Sequence, residues 1–383
     1  MKKILSIVLL WAFVLCALPV DCSGAEFGGE LSAASAILIE PESGTVLFEK
    51  NADERRYPAS VTKVMTLLLV FEAIDAGKLK LDDTVTASEY ASSMGGSQIF
   101  LSAGESMRAE DMIKSVVIAS ANDAATALAE HIAGSEGAFV ELMNKRAEEL
   151  GMVNTRFENV SGLDDTVTEH KTTARDIAIM SRELIVKHPK VLEYSGIWMD
   201  SIRDGAFGLT NTNRLIRFYS GATGLKTGST AKAGFCISAS AERNGTKLIA
   251  VIMGAPTRDA RNADAKMLLD YGFANYETYR GDGGRIEHIT VKGGKEPEFV
   301  AEYPEVCILL EKGSGARVAK DIIIEDIYVA PVKAGAKIGR VIYSIDGKTV
   351  AECDITACAS VEKINYGELF MRVLGKFLLK TEQ

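Results

Sequence analysis

The sequence predicts an α/β (α+β) fold, an antiparallel sheet with a helical cluster, followed by a small all-β domain and a C-terminal amphipathic helix. Three observations carry this expectation. Strand-like runs at residues 36–49 and 235–253 bracket a long stretch of helical periodicity, so one sheet draws its strands from distant parts of the chain. A composition shift at Gly281-Asp-Gly-Gly284 introduces short β runs separated by Gly and Pro turns. Residues 367–380 return to an apolar period of one helical turn.

The first 25 residues read as an export leader. Two lysines precede the apolar run 4–20, and Ser23-Gly24-Ala25 offers the small-x-small pattern cut by leader peptidases, placing cleavage before Glu26. Pro19 and Asp21 interrupt the run before it reaches the length of a membrane span, and Asp21 ahead of Cys22 disfavours a lipoprotein.

The remaining elements follow in order. Residues 36–49 form two short β runs around a Pro and Gly turn, a hairpin signature. Residues 61–76 are apolar nearly all round and stop at Gly77, which predicts a helix buried at the centre of a domain. Helices are expected at 109–132, at 135–150 before Gly151, and at 173–187 before Pro189. Residues 235–241 and 247–253 flank Asn244-Gly245, a two-residue hairpin turn, and 263–276 closes the domain as a helix on the sheet. This places a first domain at 26–280. A β-sandwich domain is expected at 285–364, with strands at 286–291, 306–310, 322–329 and 339–345. In the last segment, 365–383, Leu369, Phe370, Val373, Leu374, Phe377 and Leu378 form one stripe with Arg372, Lys376 and Lys380 off it. Such a helix suits a membrane interface with its cations toward anionic headgroups; the alternative is packing on its own β domain.

Composition narrows the function classes. At roughly 150 residues per domain, 383 residues make two to three domains. A hydrophobic fraction of 47% and a charged fraction of 25% describe a folded globular chain. The net charge of −9, from 43 basic against 52 acidic residues, removes the electrostatic drive of a nucleic-acid binder. Cys16 and Cys22 fall in the leader, leaving Cys236, Cys307, Cys353 and Cys358 with no paired CxxC; with four histidines, no metal site is expected. Cys353 and Cys358 are placed either to pair or to sit as small buried hydrophobes.

Three short motifs carry chemistry: Ser60-Val-Thr-Lys63, Ser120-Ala-Asn122 and Lys226-Thr-Gly228. Lys63 lies one helical turn after Ser60 on the same face, within reach of its hydroxyl. A serine hydroxyl needs a base near neutral pH, and a lysine among other cations and apolar walls is neutral enough to serve. Read alone, Ser60 is an N-cap and Lys63 a solvated residue, but this helix is too apolar for an idle lysine in its first turn. Ser120 and Asn122, two apart in a loop between helices, are able to converge on one site; a local cap is the plainer reading. Lys226, Thr227 and Gly228 on an edge strand offer a cation, a hydroxyl and room for a peptide to add as a further strand.

Together these motifs resemble the penicillin-recognising serine acyl enzymes. The segments Pro58-Ala-Ser-Val-Thr-Lys-Val-Met65, Gly96-Ser-Gln-Ile-Phe-Leu101, Ser120-Ala-Asn-Asp-Ala124, Leu142-Met-Asn144, Leu150-Gly-Met152, Thr173-Ala-Arg-Asp176 and Gly224-Leu-Lys-Thr-Gly228 resemble the low-molecular-weight penicillin-binding proteins, serine-type D-alanyl-D-alanine carboxypeptidases. The likeness spans nearly the whole chain, including the β domain and terminal helix of that family. It implies a β-lactamase-like transpeptidase fold and an acyl-enzyme cycle on peptidoglycan stem peptides ending in D-Ala-D-Ala, without metal or organic cofactor. Ser60 would attack, Lys63 would take its proton, and Ser120 would relay a proton to the departing D-Ala. Asn122 would hold the substrate amide and Lys63, and the backbone N–H groups of Ser60 and Ser229 would form the oxyanion hole. Lys226, Thr227 and Arg261 would bind the terminal carboxylate, with Arg258 an alternative to Arg261.

The same resemblance implies β-lactams as covalent inhibitors and a place outside the bacterial cytoplasmic membrane, peripherally bound through the last helix. Ala121 replaces the Asp of Ser-Asp-Asn and no Glu-x-x-x-Asn segment is present, which leans away from a class A β-lactamase and implies slow penicillin hydrolysis. A DD-endopeptidase shares the acyl step, and a non-catalytic cell-wall-binding module is the reading from another class.

Overall fold

The computed structural model describes residues 27–379, so the expected leader and Lys380 lie outside the described residues. The chain divides into two compact units, Gly24–Glu277 and the part from Thr278 onward.

The first unit opens with the hairpin β1 (Ser35–Ile39) and β2 (Val46–Lys50). Its turn is held by the Glu40 carboxylate, which accepts from the backbone N–H groups of Glu42 at 2.8 Å and Ser43 at 2.6 Å. A 3-10 turn, Ala59–Thr62, leads into α1 (Lys63–Asp75). Then come β3 (Thr84–Thr86), α2 (Glu89–Ser92), β4 (Ser106–Arg108), α3 (Ala109–Ile118), α4 (Asn122–Ala133), α5 (Glu136–Glu149), α6 (Ala174–Lys187) and α7 (Val191–Ser195). A second hairpin, β5 (Met199–Ile202) with β6 (Phe207–Thr210), precedes α8 (Leu215–Phe218). The unit ends with β7 (Ala222–Thr230), β8 (Gly234–Arg243), β9 (Thr246–Ala255) and α9 (Arg258–Asn275).

The central sheet has the order β2-β1-β9-β8-β7, antiparallel throughout, with β7 at an edge as the third motif requires. Alternation along the strands fills two cores. Ile37, Ile39, Val251 and Met253 face the cluster built by α1 and α3 to α6, whereas Ala36, Leu38, Ala250 and Ile252 face α9. Helix α1 is buried at Val64, Met65, Leu67, Leu68, Val70 and Phe71, the central helix that its composition predicts.

Two helices differ from expectation. The segment 109–132 is not one helix: it breaks at Ala119–Ala121, where Ser120 has φ +63°. The apolar period runs through the break because α3 and α4 bury their faces in one core, which hides the interruption. Helix α9 begins at Arg258, five residues before the expected start at 263; Thr257 caps it by accepting from the Ala260 N–H at 3.0 Å, and its polar first turn lacks the apolar signal.

Among its described residues the second unit is all-β apart from a 3-10 turn, Gly315–Arg317, and its last helix. β10 (Tyr276–Gly281) runs across the boundary into it, and β11 (Gly284–Lys292), β12 (Glu298–Tyr303), β13 (Val306–Glu311), β14 (Ala319–Ile324), β15 (Tyr328–Val329), β16 (Lys337–Ile345) and β17 (Lys348–Ala357) follow. Six strands form a sheet in the order β14-β16-β17-β12-β11-β15, and β10 pairs with β13. Their core includes Ile289, Phe299, Ile308, Val341, Tyr343 and Ile355. The expected strand 322–329 is two strands, and β12 and β17 were not anticipated. Cys353 and Cys358 are unbridged, as are Cys236 and Cys307.

Helix α10 (Tyr366–Leu379) leaves Leu369, Phe370, Val373 and Leu374 exposed, while Phe377, Leu378 and Lys376 have side chains outside the described residues. Arg372 differs from its expected role: its guanidinium donates to the carbonyls of Gly294, at 3.3 Å, and Lys295, tying the helix to its own β unit. No described helix is long and apolar enough to cross a membrane.

Candidate active site

The 3-10 turn places Ser60 at the head of α1 and Lys63 as the first residue of that helix, fully buried. Lys63 Nζ lies 3.1 Å from Ser60 Oγ, 2.6 Å from Asn122 Oδ1 and 2.8 Å from the Ser161 carbonyl. Two of these partners are carbonyl oxygens, which only accept. A neutral amine satisfies both with its two N–H bonds and turns its lone pair toward the Ser60 hydroxyl. Burial drives the Lys63 pKa well below its ordinary value, the Lys226 charge adds to the shift, and Asp123 opposes it. An ammonium would satisfy all three partners as well, so it is the lowered pKa that favours a neutral amine facing the serine.

The break between α3 and α4 carries Ser120 into the same place. Its Oγ accepts from Lys226 Nζ at 2.9 Å, and Lys226 also donates to the Thr227 carbonyl at 2.9 Å. Burial and the neighbouring Arg261 charge push the Lys226 pKa down to about 7. Asn122 starts α4; beyond its bond to Lys63, its Nδ2 donates to the Gly95 carbonyl at 2.7 Å. Next to it, the buried Asp123 carboxylate accepts from the N–H groups of Ile99, at 3.1 Å, and Leu101, at 3.0 Å. The loop 95–101 is thereby fastened to the start of α4.

Strand β7 brings the third motif alongside the nucleophile. A Cβ at Gly228 would stand 2.7 Å from the Ser60 nitrogen and 2.9 Å from that of Val61, so only glycine permits this approach. Thr227 is buried and Ser229 exposed on the same strand. Arg261 is 3% exposed on α9; it donates to Asn262 Oδ1 at 2.9 Å and the Cys236 carbonyl at 3.5 Å. Its charge acts on Lys226, whereas Arg258 is exposed and acts on Arg261. The structure thus gathers Ser60, Lys63 and Asn122 in one bonded set and Ser120, Lys226 and Thr227 in a second, the two linked by the Lys226 charge, which lowers the pKa of Lys63.

Three contributors escaped the sequence reading. The Ser161 carbonyl is a backbone group with no residue-type signal. Asp123 stood inside a quoted motif without a role. His170 is 1% exposed; its Nδ1 accepts from the Glu158 N–H at 3.0 Å, so Nε2 carries the proton and donates to Thr62 Oγ1 at 2.8 Å. Burial and the Lys63 charge push its pKa down to about 4, so it stays neutral behind the nucleophile turn. A histidine three residues before the Thr173 cap of α6 was the only available hint.

A half-buried serine and a buried lysine at the head of a central helix, beside an edge strand that carries Lys-Thr-Gly, define a serine acyl enzyme of the penicillin-binding class. The chain belongs to the D-alanyl-D-alanine carboxypeptidase family: the family model of that description matches residues 22–257, and the model for the penicillin-binding protein 5 C-terminal domain matches 276–363. D-alanyl-D-alanine carboxypeptidase DacF of Bacillus subtilis (strain 168) is 41% identical over 388 residues, covering 98% of each chain. The crystal structure of penicillin binding protein 5 from Haemophilus influenzae superposes with a TM-score of 0.75 at 32% identity, covering 88% of this chain and 99% of that one. Penicillin-binding protein D2 of Listeria monocytogenes in its ampicillin-bound form gives a TM-score of 0.59 at 34% identity, over 63% of this chain and 98% of that one.

Proposed function

We propose that the protein is a serine D-Ala-D-Ala carboxypeptidase that removes the terminal D-alanine from peptidoglycan stem peptides. The observation that carries this reading is the buried Lys63 amine 3.1 Å from Ser60 Oγ, with its other two partners both carbonyl oxygens. Ser60 attacks the carbonyl of the penultimate D-Ala as Lys63 takes its proton. The tetrahedral oxyanion is held by the backbone N–H groups of Ser60 and Ser229, which the glycine contact at 228 brings near each other. Ser120, bonded to the Lys226 ammonium, passes its proton to the departing D-Ala nitrogen and receives in exchange the one that Lys63 took from Ser60; the C–N bond breaks to leave the acyl-enzyme with Lys63 neutral again. Water then attacks the ester carbonyl as Lys63 takes its proton, and that proton passes to Ser60 Oγ as the Oγ–C bond breaks and the shortened peptide leaves. Lys226, Thr227 and Arg261 attract the terminal carboxylate, and the second N–H of Asn122 Nδ2 orients the substrate amide. β-Lactams acylate the same serine, in keeping with the ampicillin-bound relative.

The exported chain acts outside the cytoplasmic membrane, and the exposed face of α10 rests on its surface. Ending the chain after Asn365 is expected to release it from membranes with soluble activity retained; unchanged membrane recovery argues against this contact.

The decisive experiment measures free D-alanine released from a soluble peptide ending in L-Lys-D-Ala-D-Ala, with Ser60→Ala as control. Release by the wild type alone supports the reading. A folded wild type that releases none, yet cleaves cross-linked dimers, points to an endopeptidase; penicillin binding without any turnover points to a wall-binding module.

A further inference from the structure

Between β6 and α8 the chain holds one exposed threonine between two buried asparagines. Asn211 and Asn213 are 5% and 1% exposed, whereas Thr212 is open to solvent. Asn211 Nδ2 donates to the carbonyls of Ser195, at 3.1 Å, and Ile197, at 2.8 Å, and Asn213 Nδ2 donates to that of Gly224 at 2.8 Å. The Asn213 N–H returns to Asn211 Oδ1 at 2.9 Å. Thr212 itself donates its backbone N–H to the carbonyl of Ile118, two residues before Ser120, at 3.1 Å. The backbone here is fixed from both sides, toward the Ser120 turn and toward β7, and the side chain it presents is not used for packing.

That side chain meets the third motif. Thr227 Oγ1 donates to Thr212 Oγ1 at 2.7 Å. We infer that Thr212 is a further substrate-binding residue, whose hydroxyl joins that of Thr227 in holding the terminal carboxylate of the acyl donor. The inference rests on the carboxypeptidase reading above.

The proton count supports it. Each hydroxyl has one proton to give. In the free protein the proton of Thr227 points at Thr212; when a carboxylate arrives, that proton turns to the anion and the Thr227 oxygen, no longer a donor to Thr212, is left open to accept. Thr212 supplies its own proton, either to Thr227 or to the second carboxylate oxygen. Arg214, two residues on, is exposed and near enough to Arg261 for the two guanidinium charges to repel, so the segment also brings positive charge toward the anion.

The test compares one peptide in two forms, ending in D-Ala-D-Ala as the free acid and as the C-terminal carboxamide. Thr212→Val keeps the shape and removes the hydroxyl. The expected result is a loss of about tenfold or more in kcat/KM on the acid, the scale of one charge-assisted hydrogen bond, carried mainly by KM and absent on the carboxamide. Thr212→Ser should restore the preference for the acid. Equal loss on both forms, or no loss on either, overturns the inference. If wild type releases no D-alanine, the activity reading has failed and this inference is read separately: the same variants are acylated with benzylpenicillin and its methyl ester. A Thr212→Val loss confined to the free carboxylate supports the inference there too, and a loss shared by both, or none, overturns it.

Discussion

The two units of this chain treat charge in opposite ways. In Gly24–Glu277, Lys63, Lys226, Arg261, Asp123 and His170 are all buried, and the charge of one lysine, Lys226, pushes the other toward its neutral form. From Thr278 onward, the one buried polar residue among those described is Ser314, and charged pairs such as Lys337 with Asp354, at 2.7 Å, lie at the surface. Burying an ammonium costs several kcal/mol unless its surroundings compensate it. The first unit offsets that cost with acceptors around each lysine, three at Lys63 and two at Lys226, and with the lowered pKa of Lys63, which favours a neutral amine beside a hydroxyl. Among its described residues the second unit buries no charged side chain, and its core is aliphatic and aromatic. Chemistry thus resides where desolvation is tolerated, and the second unit is built for stability and surface.

The comparison breaks most severely at Lys63. Lys63→Met keeps an unbranched side chain of similar length in the core but removes the base, and is expected to slow acylation of Ser60 by about 10²–10⁴-fold. The pH profile sharpens the point. Lys63 must be neutral, and because burial lowers its pKa the acid limb of kcat/KM should lie well below the ordinary lysine range. Lys226 must be charged, and its pKa of about 7 means that kcat/KM should fall as pH rises through that value. A bound carboxylate favours the ammonium, so the same limb in kcat should lie higher. Lys226→Arg supplies a cation that does not titrate and should remove the alkaline limb; its persistence at the same pH would assign it to another group.

Much of this site could be read from residue order because each motif acts over a short span. Ser60 and Lys63 are one turn apart, Ser120 and Asn122 flank one helix start, and Lys226 to Gly228 occupy one strand, so local geometry alone brings each set together. What could not be read depends on tertiary closure. The Ser161 carbonyl has no identity to recognise, and Thr212 is distinguished only by the buried asparagines around it and the strand it meets. The left-handed Ser120 lies in a run without Gly or Pro, so no breaker announced the end of α3. In the second unit the residues of β17, Lys-Thr-Val-Ala-Glu-Cys-Asp-Ile-Thr-Ala, give no strand signal because only two of the ten are buried and the order lacks a clear alternation. Strand formation there is decided by pairing with β16, not by its own pattern.

The smaller test asks whether the second unit contributes to the reaction at all. Ile355 is fully buried in β17, in a core shared with Val341 and Tyr343. Ile355→Ala leaves a cavity that relaxes only in part, and should destabilise the unit by about 2–5 kcal/mol. Every group assigned to the acyl cycle lies before Glu277, and none of them packs in that core. D-alanine release from a soluble peptide, measured well below the melting temperature, is therefore expected to match the wild type while thermal unfolding moves down. A lowered kcat at a temperature where the protein remains folded would mean that the second unit helps to hold the buried charges of the first. The division of labour drawn from burial would then be wrong, since the cost of desolvating Lys63 and Lys226 would be shared across the whole chain.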